Sequence, residues 1–391
     1  MRIKILGIGA AGNKAAINCI EKGVISEKDV ALLNTTLKDI PEVYKDLGYL
    51  FSTDLGGCGK ERNIAKKAML AAINNKELSL SSLVDDDTQL VCLVSSTEGG
   101  SGSGAISLCA KYYMAMNIPV HVFALVGFND DERGVKNSLE FFKDLDDNII
   151  LHTICNSEFL DYTGNHLLAE RAANDWFTKS IEVLIGNYII PSEQNMDGMD
   201  MYKIVNQTGY MDIHCVDLSN VKTPQEYQQT MVAEFQDMKG FEYDPCCAKL
   251  GIIINLPERK RSIVDYTFDV IKRYTGEPGI IYHQVQDDEE SQYIFIIAAG
   301  LRFPADGIKR LAKVYSDIKE KRKANQSSFK DIFSDIDLDD DEDNDVVIKN
   351  QLSEEEADKI FSQMVIEDSK PTKKETKKKD KTTDKEDIDK Y

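Results

Sequence analysis

Two glycine-rich segments each follow a short apolar run in the sequence. The first is 7–12, Gly-Ile-Gly-Ala-Ala-Gly, and the second is 95–104, Ser-Ser-Thr-Glu-Gly-Gly-Ser-Gly-Ser-Gly. Glycine lets backbone N–H groups approach an anion closely, and a helix that starts there presents the positive end of its dipole. Two such segments at strand ends predict a clamp for a di- or triphosphate, with Ser101 and Ser103 as hydroxyl donors. A plain glycine-rich turn is the alternative for the second segment.

The first segment alone has the G-x-G-x-x-G pattern of dinucleotide-binding enzymes. Such an enzyme needs an acid at the end of the second strand, about 20 residues on, to hold the ribose hydroxyls. Asn34-Thr35-Thr36 stands there, which weakens this interpretation but leaves an NAD(P)-binding oxidoreductase as an alternative. The second segment lacks the G-x-x-x-x-G-K-[ST] pattern, so we assign no lysine to the phosphates.

The apolar runs alternate with helical segments in the first half of the chain. Strands are predicted at 3–8, 30–33, 90–94 and 120–126. This alternation predicts an α/β fold with a Rossmann-type parallel sheet, whose ligands bind at the carboxyl ends of the strands. Further strands at 249–256, 279–285 and 293–299 indicate a smaller mixed α/β domain.

The length of 391 residues suggests more than one domain. We expect three parts: a nucleotide-binding domain at 1–190 with a central helix at about 165–187, a second domain at 191–323 that ends in a basic helix, and a disordered tail at 324–391. Within the tail, 331–350 carries nine acids against Lys349 and cannot bury an apolar core. An amphipathic helix at 353–366 serves a partner or docks back on the body.

The net charge of −20, from 47 Lys and Arg against 67 Asp and Glu, argues against direct nucleic-acid binding by the body. The eight cysteines form no Cys-x-x-Cys pair, and the five histidines lack metal-ligand spacing. No apolar run reaches the length of a membrane span. We therefore expect a cytoplasmic protein with reduced thiols and no protein-bound metal.

Taken in order, these motifs resemble the tubulin/FtsZ superfamily of filament-forming GTPases over about 1–320. The family's G-G-G-T-G-S-G signature is similar to 98–104, where Glu98 replaces the first glycine and Ser101 the threonine. Within the superfamily the chain looks closest to the TubZ-type proteins of plasmids and phages. The resemblance implies a tubulin-like fold, binding of GTP and GDP with Mg²⁺, and GTP hydrolysis activated by polymerisation.

The resemblance also implies which residues hold the nucleotide. The phosphate loops are Gly9, Ala10, Ala11, Gly12, Asn13, Asn34, Gly57, Gly59, Gly99, Gly100, Ser101, Gly102, Ser103 and Gly104. Glu132 is implied for the ribose, and Asn156, Asn174 and Asp175 for the guanine. A carboxylate that accepts from the N1–H and N2–H₂ donors of guanine cannot do so for adenine, so Asp175 would select GTP. Capping or solvating a helix turn is the alternative role for Asp175.

The segment 195–200, Asn-Met-Asp-Gly-Met-Asp, resembles the family's N-x-D-x-x-D catalytic loop. The resemblance implies that Asn195, Asp197 and Asp200 activate water at the nucleotide of the next subunit in a head-to-tail filament. Ordinary acids around a turn glycine are the alternative. The implied role is to position plasmid or phage DNA in a bacterial cytoplasm, with a DNA-binding adaptor on the tail. An FtsZ-like division ring is the alternative.

Overall fold

The structure, a computed structural model, describes residues 1–52, 56–187, 189, 196–287 and 292–324. The predicted catalytic Asn195, the predicted domain boundary near 190, and the tail from 325 with its helix at 353–366 lie outside these ranges.

The described strands form one ten-stranded sheet. They are β1 (Ile3–Ile8), β2 (Val30–Asn34), β3 (Gly48–Leu50), β4 (Leu90–Ser96), β5 (Val120–Val126), β6 (Ile150–Cys155), β7 (Gly209–Asp217), β8 (Lys249–Asn255), β9 (Ile280–Gln286) and β10 (Tyr293–Leu301). Their order is β3-β2-β1-β4-β5-β6-β7-β10-β8-β9. From β3 to β7 all neighbours are parallel, whereas β10 runs antiparallel to both β7 and β8. The predicted α/β fold with a mostly parallel sheet is confirmed.

The helices cover both faces of this sheet. They are α1 (Gly9–Glu21), α2 (Arg62–Asn74), α3 (Ser101–Ala115), α4 (Glu132–Asp144), α5 (Asn156–Thr163), α6 (His166–Ile185), α7 (Gly198–Val205), α8 (Pro224–Gln236), α9 (Asp269–Thr275) and α10 (Ala305–Ala324). Within the described ranges, each helix is too short or too polar to span a lipid bilayer.

Alternating side chains of β1 show how the sheet acquires two cores. Ile3 and Ile5 pack on one face with side chains of α1 and α6, and Leu6 and Ile8 pack on the other with those of α2 and α3. Successive side chains of a strand point to opposite faces, so a strand covered on both sides is a nearly continuous apolar run. This is why β1, β4 and β5 were visible in the sequence.

The long helix α6 coincides with the central helix expected at about 165–187. The side chain of Asn165 caps it by accepting hydrogen bonds from the backbone N–H groups of Leu167 and Leu168, at 2.9 and 3.2 Å. Gly186 ends it with a φ of 79°, a left-handed conformation that glycine adopts without steric cost. Phe177 and Ile181 then bury the helix against the sheet beside α1.

The chain reverses its direction of travel across the sheet at β1. β2 and β3 lie on one side of β1, and β4, β5 and β6 lie on the other. In parallel sheets the loops after the two central strands separate at such a switch point and leave a crevice at the carboxyl ends. The loops that follow β1 and β4 are the two glycine-rich segments.

Candidate functional site

A cavity of about 350 Å³ opens at the carboxyl ends of β1, β2 and β4. The predicted phosphate residues that line it are Gly9, Ala10, Ala11, Asn34, Gly57, Gly59, Gly99, Gly100, Ser101 and Gly102. Segments far apart in the sequence therefore meet at one concave site. The lining also contains Asp39, a polar residue that the sequence did not single out.

Two helices begin at this cavity, α1 at Gly9 and α3 at Ser101. Neither has a side-chain cap or an acid in its first turn, a feature shared by α2, whereas α4, α6, α7 and α8 begin with side-chain caps. The first N–H groups of an uncapped helix lack intrahelical partners, and the helix dipole adds partial positive charge there. Two such ends at one cavity favour an anionic ligand.

Close packing of the two loops explains two of the glycines. Gly9 has a φ of 76°, and a Cβ added to it would lie 2.8 Å from the backbone nitrogen of Gly102. A Cβ on Gly102 would lie 2.2 Å from the carbonyl oxygen of Ile8. Real Cβ atoms do not approach so closely, so the crossing of these backbones requires glycine on both sides.

Four predicted phosphate residues lie outside the cavity lining: Gly12, Asn13, Ser103 and Gly104. The hydroxyl of Ser103 is fully buried and donates to the carbonyl oxygen of Gly99, so Ser103 stabilises the loop instead of facing a phosphate. Gly12 packs against β4 and Gly104 against α2, because a Cβ at either would meet a backbone oxygen within 2.4 Å. Asn13 is 1% exposed, and its amide has no hydrogen-bond partner among the described residues.

The loop after β2 is joined to the start of α3. The hydroxyl oxygens of Thr35 and Ser101 lie 2.8 Å apart in a hydrogen bond. Asn34 accepts from the backbone N–H of Thr35 at 2.9 Å and donates to Asp39 at 3.2 Å. Ser101 thus stands at the cavity with its hydroxyl positioned by a neighbouring loop.

One buried amide connects the loop at 56–60 with the loop after β4. The side-chain nitrogen of Asn137, on α4, donates to the carbonyl oxygens of Lys60, Glu98 and Gly99 at 2.9, 3.0 and 3.3 Å. The ammonium of Lys60 pairs with Asp131, and this hydrogen bond holds the pKa of the Asp131 carboxyl below its usual range. Both loops are therefore anchored to the beginning of α4.

A second cavity of about 100 Å³ adjoins the first. Ala11, Ser96 and Glu98 line both. Its other lining residues include Lys14, Phe128, Asn156, Glu170 and Asn174. The two asparagines predicted to contact the base thus share one small pocket beside the glycine loops. Lys14 and Glu170 carry no sequence signal that distinguishes them from ordinary surface residues.

Two predicted nucleotide contacts face other partners. Asp175 accepts from the amide of Asn18, on α1, at 3.0 Å and lies 3.5 Å from the ammonium of Lys22, the residue that follows α1. Neighbours in a helix point about 100° apart, so Asn174 reaches the small pocket and Asp175 does not. The carboxylate of Glu132, predicted for the ribose, lies 2.7 Å from the guanidinium of Arg322 on α10.

The carboxylate of Glu98 lies where the two cavities meet. Its Oε1 accepts from the backbone N–H of Asn129 at 2.8 Å. A Cβ on Gly127 would lie 2.1 Å from this carboxylate, so the missing side chain makes room for it. Burial raises the pKa of Glu98 above its usual value, only partly offset by the Asn129 N–H and by Lys60. The acid that departs from the family signature is thus a built part of the cavity wall.

Asp197 and Asp200 lie towards the amino ends of the parallel strands, opposite the glycine loops. They form a capping box at the start of α7, in which Asp197 accepts from the backbone N–H of Asp200 at 2.8 Å and Asp200 accepts in return at 3.4 Å. A cavity of about 920 Å³ beside α7 is bordered by Gln89 and Pro119, which precede β4 and β5. Within one chain, these acids and the glycine loops therefore occupy opposite ends of the parallel strands.

Comparison with known proteins identifies the fold. No protein-family model matches the sequence. A solved structure of TubZ from the Clostridium botulinum phage c-st is similar with a TM-score of 0.66 and 16% identity, over 82% of this chain and 99% of that one. CetZ2 from Haloferax volcanii, in a GTPγS-bound protofilament, gives 0.65 and 16% over 83% and 100%.

A GTPγS-form protofilament of TubZ from Bacillus thuringiensis serovar israelensis gives a TM-score of 0.65 at 15% identity, over 83% of this chain and 92% of that one. The likeness extends over nearly the whole length of each of these proteins. At such low identity it establishes the architecture and leaves the chemistry to the site. The chain therefore has the tubulin-like fold of the TubZ and CetZ structures.

Proposed function

We propose that this chain is a tubulin-like GTPase that assembles head to tail into filaments. The observation that carries the proposal is the placement of two sets of residues at opposite ends of the parallel strands. Uncapped helix starts and glycine loops surround a cavity at one end, and Asp197 and Asp200 stand at the other. A second copy stacked along the strand direction would bring its acids to the cavity of the first.

In this proposal the cavity of about 350 Å³ takes the phosphates of GTP or GDP, and the smaller cavity that adjoins it takes the base. Backbone N–H groups at the starts of α1 and α3 neutralise the phosphate charge, and Ser101 adds a hydroxyl. The amides of Asn156 and Asn174 offer both donors and acceptors to the edge of guanine. Mg²⁺ is expected with the nucleotide, because in such sites it is held largely by phosphate oxygens and water. Asp175 would join the base contacts only after leaving Asn18.

Hydrolysis then depends on the neighbouring subunit. The acids of α7 would orient or deprotonate the attacking water, the role that a carboxylate or amide performs in other phosphoryl-transfer sites. Asn195, in the segment before α7, belongs to the same proposal. Because the acids are absent from the cavity of an isolated chain, turnover per subunit is expected to rise with protein concentration.

The test combines GTP-dependent sedimentation with phosphate release over a series of protein concentrations. Asp197→Ser keeps a residue that can cap α7 but removes the carboxylate, so we expect normal filaments with slow turnover. Thr223→Ala is the matched control, because it removes the side-chain cap of α8 and no proposed acid. Equal turnover per subunit at all concentrations would rule out hydrolysis in trans, and normal turnover in Asp197→Ser would rule out Asp197 as one of the acids that perform it.

For the cellular role we propose the positioning of plasmid or phage DNA in a bacterial host cytoplasm, with a DNA-binding adaptor on the tail. The likeness to TubZ, including that of a phage, supports this role over a division ring. Deletion of 350–391 should abolish binding to an adaptor encoded next to this chain and leave sedimentation intact. Filaments that gather at midcell would favour the division ring. Binding of NAD(P) without GTP in the same titrations would favour an oxidoreductase.

A further inference from the structure

The wall shared by the two cavities is the place where a bound nucleotide would put its sugar. In a nucleotide the ribose lies between the phosphates and the base. With the phosphates in the larger cavity and the base in the smaller one, the ribose must lie at the lining that both share. That lining consists of Ala11, Ser96 and Glu98. This step rests on the proposed function.

Among the residues that the structure describes, Glu98 is the one ionisable side chain of that shared lining. Its carboxylate is held in place from one side, since Oε1 accepts from the backbone N–H of Asn129 at 2.8 Å. No hydrogen bond from the residues described by the structure reaches Oε2. A carboxylate with one oxygen fixed and the other open is arranged to accept from a hydroxyl group.

The other acids of the neighbouring loop are engaged elsewhere. Asp130 lies 3.5 Å from the imidazole of His166. Asp131 caps α4 through the N–H of Gly134 at 2.8 Å and pairs with Lys60. Glu132 pairs with Arg322. Glu98 is thus the acid of this region that combines a fixed position with access to both cavities.

We propose that Glu98 accepts a hydrogen bond from a ribose hydroxyl of the nucleotide and makes the site selective for ribonucleotides over deoxyribonucleotides. An acid that binds ribose hydroxyls is a recurring solution in nucleotide sites of parallel sheets. Here the acid comes from the glycine loop after β4. A deoxynucleotide would leave Oε2 of this partly buried carboxylate without a hydrogen-bond partner, and sites built to bind a hydroxyl reject analogues that lack it.

The experiment is calorimetric titration of the full chain with GDP, 2′-deoxy-GDP and 3′-deoxy-GDP. Diphosphates avoid turnover, and probes labelled on the ribose are unsuitable because the label would occupy the hydroxyls in question. We expect GDP to bind about tenfold or more tightly than at least one deoxy analogue, the range for a hydrogen bond to a charged group.

Three variants assign that preference to a residue. Glu98→Gln keeps an oxygen for the Asn129 N–H but loses the charge, so the preference should shrink. Glu98→Ala should reduce it to within about twofold of unity, the size expected when the charged hydrogen bond is absent. Glu132→Ala tests the contact implied by the family resemblance and should keep the wild-type preference. Circular dichroism and thermal unfolding confirm that each variant is folded, and Glu98→Gln covers the case in which Glu98→Ala is not.

The outcomes separate the two proposals. If the wild-type chain binds GDP, 2′-deoxy-GDP and 3′-deoxy-GDP with equal affinity, the inference is overturned and the proposed function stands. The inference is also overturned if the preference for GDP is undiminished in the folded Glu98 variants, or if that preference is lost in Glu132→Ala. Absence of any GDP or GTP binding by the wild-type chain overturns the proposed function, and the inference with it.

Discussion

The amide of Asn137 gives a sharp test of how the loops at the proposed nucleotide site are held. It is 3% exposed and donates to carbonyl oxygens of two loops, at Lys60 and at Glu98 and Gly99. Asn137→Ala removes this donor without adding volume. Asn137→Asp keeps the shape but sets a carboxylate against three carbonyl oxygens.

The magnitude follows from the number of hydrogens. An amide NH₂ has two, so two of the three contacts are well formed and the one at 3.3 Å is shared. At about 1 kcal/mol for each net hydrogen bond, with a further cost for unpaired carbonyls, Asn137→Ala should lose about 2 to 3 kcal/mol of unfolding free energy. If about 2 kcal/mol of this must be restored when the nucleotide orders the loops, affinity falls roughly thirtyfold.

Urea unfolding followed by circular dichroism measures the first quantity, and calorimetric titration with GDP measures the second. Asn148→Ala is the control, since that amide is exposed and contacts Asp146 in its own turn. It should change the unfolding free energy by less than about 0.5 kcal/mol. The loss in Asn137→Asp should exceed that in Asn137→Ala. If Asn137→Ala behaves like the control in both assays, the amide does not hold the loops.

Two further predictions concern the glycines and a buried histidine. Gly102→Ala should lower the unfolding free energy and abolish nucleotide binding because its Cβ would meet the Ile8 carbonyl, whereas Gly99→Ala, with open space at its Cβ, should unfold like the wild type. Burial alone would lower the pKa of His214, but Asp212 and Glu234 raise it to about 10. Because the pKa of His214 is higher in the folded chain than in the unfolded one, its protonated imidazole stabilises the fold fully below about pH 6.5. This contribution to the unfolding free energy is lost as the pH rises towards 10. Urea unfolding should show that the wild-type chain loses a few kcal/mol of unfolding free energy between pH 6 and pH 9.5, and that His214→Gln does not. Equal losses in the two proteins would contradict the ion pairing of His214.

The sequence by itself determined the features that depend on local chain chemistry. The strands β1, β4 and β5 are buried on both faces and are therefore nearly continuous apolar runs, interrupted by Lys4, Ser95, Ser96 and His121, so composition alone located them. β7 is partly polar, with Asp212 and His214 inside it, and it escaped prediction. The glycine loops could be predicted from the sequence because glycine, which has no Cβ, is the residue that lets two backbones approach closely.

Only the tertiary structure decided which strands share a sheet and where each side chain points. The strands β8, β9 and β10 continue the first sheet through the antiparallel pairing of β7 with β10, a contact between segments far apart in the chain. Asn174 faces the small cavity and Asp175 faces α1, because one residue along a helix turns the side chain by about 100°. The shared wall at Glu98, and the separation of the glycine loops from Asp197, likewise follow from how the elements pack, which local sequence patterns do not encode.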